Sequence, residues 1–330
     1  MTSESNSIAA AGVWDWLTAD DGTRFRVARF GPSSAPRGTV VILNGRTEFI
    51  EKYFEVIGDL LARGYAIASL DWRGQGMSDR SLENRHKGHV EDFDHYISDL
   101  RQAITAFVEP NCPRPYRALC HSMGGNIGLR YLGQFPETFE SAIFSAPMWG
   151  IGTSARTPLW MRMVGGISHR LGWGDAYIPG GKDYNETDRS FEENVLTHDP
   201  ARFGRFVAQI DAQPRLELGA PTFACARFGR FVAQIDAQPR LELGAPTFAW
   251  ARQAVRSMDV IHAPGFAETI RIPIRICSAG ADALVSVEAQ RLVADRLSNG
   301  EQIVVAGSRH ELLMEIDSYR DQIFAAFDSL

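Results

Sequence analysis

Ser122 stands in Leu119-Cys120-His121-Ser122-Met123-Gly124-Gly125-Asn126, after an apolar run and before a glycine-rich helical start. Small residues around a serine at a strand-to-helix turn let the backbone bend sharply and lift the hydroxyl above the strand ends. A serine hydroxyl is a weak nucleophile until a base takes its proton, so this stretch alone reads equally as a buried serine in a tight turn. The chain supplies the partners further on. Asp282 follows the apolar run Arg271–Gly280, and His310 follows the run Glu301–Gly307. A carboxylate that orients an imidazole, and an imidazole that takes the serine proton, occur here in the order serine, acid, histidine, one of the known orders of such a triad. Singly, Asp282 reads as a helix cap and His310 as a surface-loop residue. Together, at successive strand ends, they point to acyl transfer through a covalent serine ester. His121 adjoins the nucleophile, but the backbone direction beside Ser122 makes it a poor base, and it is expected to fill space beneath the site.

Attack on a carbonyl also needs two backbone N–H groups aimed at the developing oxyanion. One is expected from Met123, directly after the nucleophile, and the other from Arg46 in Asn44-Gly45-Arg46, the loop after the run Gly38–Gly45. No metal or organic cofactor is required by this chemistry, and none is expected.

The residues sit in a regular alternation. Apolar runs at Thr23–Phe30, Gly38–Gly45, Tyr65–Trp72, Tyr116–Ser122, Ser141–Pro147, Arg271–Gly280 and Glu301–Gly307 are separated by helical patterns at 49–64, 90–108, 124–135, 285–297 and 319–330. Near-continuous apolar strands alternating with amphipathic helices imply an α/β fold with a mostly parallel central sheet and helices on both faces. The alternation breaks between Met148 and Ile261, where helical patterns occur without a strand. The expected layout is a core over 1–147 and 263–330 with a helical cap inserted at 148–262, over the strand ends where ligands bind in such sheets.

Inside that insertion a 25-residue unit, Ala201–Cys225, is repeated at Ala226–Trp250, and the copies differ only in their last residue. Each copy opens with a helical apolar stripe: Phe203, Phe206, Val207 and Ile210, then Phe228, Phe231, Val232 and Ile235. Asp199 and Pro200 suit the first helix start, and Gln213-Pro214 and Gln238-Pro239 should end the two helices. Pro221-Thr222 and Pro246-Thr247 each look like a further helix start. The duplication is either functional, as a wider cap or a self-association face, or without a role of its own. Near-identity of the copies favours the second.

Composition excludes several classes. The 330 residues are 45% hydrophobic and 22% charged, and the net charge of −6 argues against a nucleic-acid surface. No run of eighteen apolar residues predicts a membrane span. The N-terminal stretch has no basic residue before its apolar run and does not read as a secretion signal. The four cysteines, Cys112, Cys120, Cys225 and Cys277, have no metal-ligand spacing. A reduced, cytoplasmic protein is expected, at most in weak peripheral contact with the inner face of the membrane.

The longer phrases around these residues, LNGRTEFIEKYFEVIGDLLARGYAIASLDWRGQGMSDR, HVEDFDHYISDL, HSMGG, NVLTHDPARF, GADALV and SRHELLMEID, resemble the α/β-hydrolases of the lysophospholipase and monoglyceride-lipase type, most of all the bacterial lysophospholipase-like branch. The resemblance covers most of the chain outside the duplication. It implies an α/β-hydrolase fold, Ser122, Asp282 and His310 as the triad, and Arg46 and Met123 as oxyanion donors. It makes Asp71-Trp72-Arg73-Gly74-Gln75-Gly76 a structural turn with a charged pair. Cys120 where the family has glycine, Asn44 where it commonly has histidine, and the extra cap unit depart from the pattern.

The substrate expected from this resemblance is a lipid ester with one acyl chain, a lysophospholipid or a monoacylglycerol. Apolar residues at Trp149, Trp160 and Met161 would line its entrance, or merely pack cap onto core. Other acyl esters, a lactone or a peptide remain open on the same machinery. A binding protein with a spoiled site is the third reading. Epoxide hydrolysis and dehalogenation are disfavoured, since they use a carboxylate where this chain has Ser122.

Overall fold

Strands built from uninterrupted aliphatic residues need cover on both faces, and the computed structural model of the protein provides it. It describes Ile8 and residues 11–32, 35–152, 159–184, 190–192, 194–211 and 241–330; Ala11 is the first residue of a continuous run. Eight strands, β1 (Val13–Thr18), β2 (Arg24–Phe30), β3 (Thr39–Leu43), β4 (Ala66–Leu70), β5 (Tyr116–His121), β6 (Ser141–Ser145), β7 (Ile274–Ala279) and β8 (Gly300–Val305), form one sheet in the order β1-β2-β4-β3-β5-β6-β7-β8. Strand β2 is antiparallel to both its neighbours, and the pairs from β4 across to β8 are all parallel. Every residue of β3, β4 and β6 is buried. At about 1.5–3 kcal/mol for each fully buried Val, Leu or Ile, these strands carry much of the core's stabilisation.

Seven of the strands answer the apolar runs of the sequence. The eighth, β1, lies at the sheet edge, and its residues alternate between exposed and half-buried, so Val-Trp-Asp-Trp-Leu-Thr carries no continuous apolar signal.

The helices of eight or more residues described are α1 (Phe54–Ala62), α2 (Asp94–Gln102), α3 (Met123–Gln134), α4 (Leu159–Arg170), α5 (Pro200–Asp211), α6 (Phe248–His262), α7 (Val287–Ala294) and α8 (Asp317–Asp328). The pattern at 49–64 divides into a 3-10 turn over Ile50–Tyr53 and then α1. The pattern at 90–108 becomes α2 followed by a π-helical stretch, Ala103–Val108.

Between β6 and β7 the described residues form α4, α5 and α6 and no strand, only isolated bridges such as Tyr177 with Thr247. The start of α5 is as the sequence implies: Asp199 Oδ1 accepts the N–H groups of Ala201 and Arg202, each at 2.9 Å. Of its stripe, Phe203 and Ile210 are buried, Phe206 and Val207 half-buried. Thr247 caps α6 by accepting the Trp250 N–H at 3.3 Å. The second stripe, Phe228 to Ile235, the start at Thr222 and the end at Gln238-Pro239 lie outside the described residues.

The described chain thus holds the head of the unit from its first copy and the tail from its second. Ile210 and Leu241 meet in one small cluster with Phe49 and Met77 of the core. Trp250, Ala254, Met258 and Ile261 on α6 belong to the main core itself, and Ser257 Oγ is bonded to Asn126 Oδ1 on α3.

Candidate active site

Parallel strands put their carboxyl ends on one edge, so the turns after β3, β5, β7 and β8 all open there. The turn after β5 is a tight one. Ser122 has φ 49 and ψ −114, a left-handed conformation costly for a residue with a side chain. Backbone bonds hold it there: its N–H donates to Ser145 O at 3.1 Å, and its carbonyl accepts the Met148 N–H at 2.9 Å. The glycines of the motif are required by close packing. A Cβ on Gly124 would lie 2.1 Å from Leu43 O and 2.5 Å from Asn44 O. A Cβ on Gly128 would lie 2.8 Å from Cys120 Sγ. Cys120 is therefore accommodated because the facing helix has no side chain at that point. Burial pushes its thiol pKa up, so it packs as an apolar residue.

His310 is brought to this turn from the loop after β8. Its Nε2 lies 2.9 Å from Ser122 Oγ, and its Nδ1 lies 2.7 Å from Asp282 Oδ2 in the turn after β7. The other oxygen of Asp282 accepts N–H bonds from Leu284 at 2.8 Å and Val285 at 3.0 Å, which fixes the carboxylate plane. The side chains of Asp282 and His310 are almost wholly buried. Three residues far apart in the sequence thus form one chain of hydrogen bonds, with the serine at its open end.

The loop after β3 lies on the first turn of α3, as the Gly124 contacts require, and the Gly45-Arg46 peptide follows directly. The Met123 N–H is the first of α3 and has no acceptor within the helix. Side chains from the turn Asp71–Gly76 support the loop from below. Trp72 Nε1 donates to Asn44 O at 2.9 Å, and Gln75 Nε2 donates to Gly45 O at 2.6 Å and to Glu48 O at 3.1 Å. Asn44 Nδ2 donates to Leu70 O at 2.8 Å. The two charged residues of that turn pair outside it and not with each other: Asp71 with Arg26 of β2 at 2.7 Å, and Arg73 with Asp99 at 2.6 Å, while Arg26 reaches Glu51 as well at 2.6 Å.

Beneath the site lies a buried charge cluster with no distinct mark in the sequence. Glu48 accepts the Gly45 N–H, bonds the Lys52 ammonium, and accepts the Tyr53 hydroxyl at 2.7 Å. Lys52 Nζ is 2.8 Å from Glu311 Oε2. His121 Nε2 lies 3.3 Å from Glu311 and 3.5 Å from Glu48, while its Nδ1 faces Ser145 O at 3.0 Å. Both ring nitrogens of His121 thus face acceptors. Burial disfavours its charge, but the carboxylates of Glu311 and Glu48 outweigh burial and raise its pKa. Glu48, His121 and Glu311 bring ligand atoms within 4.8 Å of one another, a spacing a metal ion could use. The Lys52 ammonium already bonds both carboxylates, so the cation of this cluster is a side chain. In sequence, Glu48 and Lys52 look like an ordinary helix-face pair, and Glu311 is only the neighbour of His310.

Of the residues expected at the entrance, Trp149 is fully buried. Its Nε1 donates to Gly125 O at 3.1 Å, and its ring packs on Phe144. That is a packing position beneath α3, in place of an open lip. Trp160 and Met161 fall on α4, but their side chains lie outside the described residues.

Among the described residues no helix is long and apolar enough to cross a membrane. Residues 34–317 match the family described as serine aminopeptidase, S33. The chain is 27% identical over 293 residues to a probable lysophospholipase L2 of Haemophilus influenzae, covering 88% of this chain and 83% of that protein. It is 32% identical over 207 residues to lysophospholipase L2 of Escherichia coli, covering 63% of this chain and 60% of that protein. The fold is similar to a soluble variant of the monoglyceride lipase of Saccharomyces cerevisiae, solved with a substrate analogue. That likeness has a TM-score of 0.67 at 17% identity and covers 96% of this chain and 94% of that one. With the family matched across both halves of the sheet, the chain belongs to the serine aminopeptidase S33 family and is an α/β-hydrolase of the lysophospholipase and monoglyceride-lipase type.

Proposed function

We propose that the protein is a serine hydrolase that cleaves carboxylic esters of single-chain lipids through an acyl-enzyme on Ser122. The observation that carries this reading is the hydrogen-bonded line from Asp282 through His310 to Ser122, with links of 2.7 and 2.9 Å. His310 Nε2 takes the Ser122 proton as Oγ attacks the ester carbonyl, and Asp282 holds Nδ1–H and stabilises the imidazolium formed. The N–H groups of Arg46 and Met123 receive the oxyanion, each donor supporting about 3–4 kcal/mol of transition-state stabilisation. His310 then passes the proton to the departing alcohol oxygen. A water deprotonated by the same imidazole releases the fatty acid and restores the hydroxyl.

The relatives named lysophospholipase and monoglyceride lipase support a lipid ester as substrate. Hydrolysis of a lysophospholipid and a monoacylglycerol with the same acyl chain tests the assignment and reads the head group. A short-chain optimum in an ester series would instead make the enzyme a general esterase, and cleavage of amino-terminal peptide substrates would make it a peptidase. We further assign residues 148–262 to a cap over a core of 1–147 and 263–330, supported by α4, α5 and α6 lying between β6 and β7. The enzyme is assigned to the cytoplasm, in at most weak contact with the membrane surface, as its net charge of −6 disfavours anionic bilayers.

A further inference from the structure

His310 lies in a loop between β8 and α8 whose regular structure is one 3-10 turn, Leu312–Met314. Such a loop needs outside support if an imidazole is to stay within bonding reach of two partners at once. On one side that support comes from the core, where the Ala281 N–H donates to Ser308 O at 2.8 Å. On the other side it comes from the inserted segment Asn194–Arg202. The Glu311 N–H donates to Leu196 O at 2.9 Å, and Arg309 Nη1 donates to Asn194 O at 3.2 Å and to Thr197 O at 3.0 Å. Thr197 Oγ1 donates to Met314 O at 2.7 Å, and Arg202 Nη1 to Glu315 O at 2.7 Å.

Glu315 is the centre of this junction and is fully buried. Its Oε1 faces the Arg309 N–H at 2.8 Å and His198 Nδ1 at 2.8 Å. Its Oε2 accepts the His198 N–H at 2.9 Å and the Ile316 N–H at 3.2 Å. One carboxylate therefore joins the residue before His310, the far end of the same loop, and the insertion. Bonds from ionised groups to backbone N–H are stronger than neutral ones, and here burial excludes competing water.

We infer that Glu315 is a positioning residue for the reaction, clamping the His310 loop onto Asn194–Arg202, so that this part of the insertion is a fixed strut of the active site. The inference rests on His310 acting as the base for Ser122. It gives Asn194–Arg202 a part in proton transfer, distinct from α6, which packs in the main core.

The test is Glu315→Gln. Both carboxylate oxygens face N–H groups, so the amide turns an NH2 towards a donor in either orientation. Displacing a reacting group by about 1 Å costs on the order of 100-fold in rate, so kcat should fall at least about tenfold with KM within about twofold. The acid limb of the kcat/KM pH profile should move as well, because the imidazole is no longer held to Asp282 and Ser122 in the same way. Thr197→Val should lower kcat in the same manner, and Thr197→Ser, which keeps the hydroxyl, should restore it; this pair decides the matter if the Glu315 variant does not fold. A folded Glu315→Gln enzyme with unchanged kcat and pH profile would overturn the strut, and so would a rise in KM alone, which describes a lid. Fluorophosphonate labelling of wild-type Ser122 keeps the two ideas apart: a labelled wild type with an unimpaired variant rejects the strut only, and an unlabelled wild type rejects the triad reading and the strut with it.

Discussion

In the proposed mechanism Ser122, His310 and Asp282 act as a unit, so their removal should not be additive. Asp282→Asn preserves size, but its amide leaves the imidazole in the wrong tautomer, and a loss of about 10⁴ in kcat is expected with little change in KM, read from ester hydrolysis. The cluster under the triad has its own pH signature. His121, with its pKa raised above the ordinary 6.5, contributes stability fully below that value and loses it as pH rises through its folded pKa. Burial of Glu311 opposes its ionisation, but Lys52 and His121 prevail and hold its pKa well below 4.5, so its contribution is present above 4.5 and is lost as pH falls further. Urea midpoints should therefore form a plateau that falls on both sides. His121→Asn should flatten the alkaline side and also lessen the acid fall, because His121 is one of the two groups that hold Glu311 ionised, while Lys52 keeps part of it. An alkaline fall that survives in the variant would assign it to another group.

At the scale of elements, the close packing of Cys120 on β5 against Gly128 on α3 makes a direct test. Alanine in a helix is ordinarily favoured over glycine by roughly 1 kcal/mol. Here Gly128→Ala would place a methyl 2.8 Å from Cys120 Sγ and 3.2 Å from Leu43 Cδ1, so the variant should be destabilised by about 1–3 kcal/mol. In a Cys120→Gly background the same change should be neutral or stabilising, and a double-mutant cycle by denaturant unfolding measures the coupling. The sequence made the central parallel strands legible because covered strands read as unbroken apolar runs, edge strand β8 through its Ile303-Val304-Val305, and Ser122, Asp282 and His310 because each follows such a run. Edge strand β1 was not legible, since its residues alternate between exposed and half-buried. Nor was the Glu48–Lys52–His121–Glu311 cluster, because its members are ordinary polar residues until the fold buries them together. Trp149 misled for the opposite reason: an aromatic beside a site reads as a ligand contact, and here its ring is core.

For the whole molecule the duplicated unit is the feature that deletion tests most simply. Phe203 and Ile210 from the first copy, and Leu241, Leu243 and Trp250 from the second, are buried. The tail reaches the site: Arg46 Nη2 bonds Gly244 O, and the guanidinium lies 5.4 Å from the centre of the Trp250 ring. Cys225 in the place of Trp250 would supply no such ring. Deleting 201–225 or 212–236 produces the same chain, because the copies are identical up to their last residue. That chain keeps Trp250 and should hydrolyse esters at the full-length rate with an equal or higher melting temperature; an inactive or unfolded product would mean that the second unit is needed. The proposed hydrolysis depends on the activation of one hydroxyl by a histidine that follows the last strand, and peptide mapping after exposure to a fluorophosphonate measures that most directly. One adduct per chain on Ser122, lost in Ser122→Ala and formed far more slowly in His310→Ala, is the predicted result. An adduct elsewhere, or labelling of Ser122 at the same rate without His310, would contradict it.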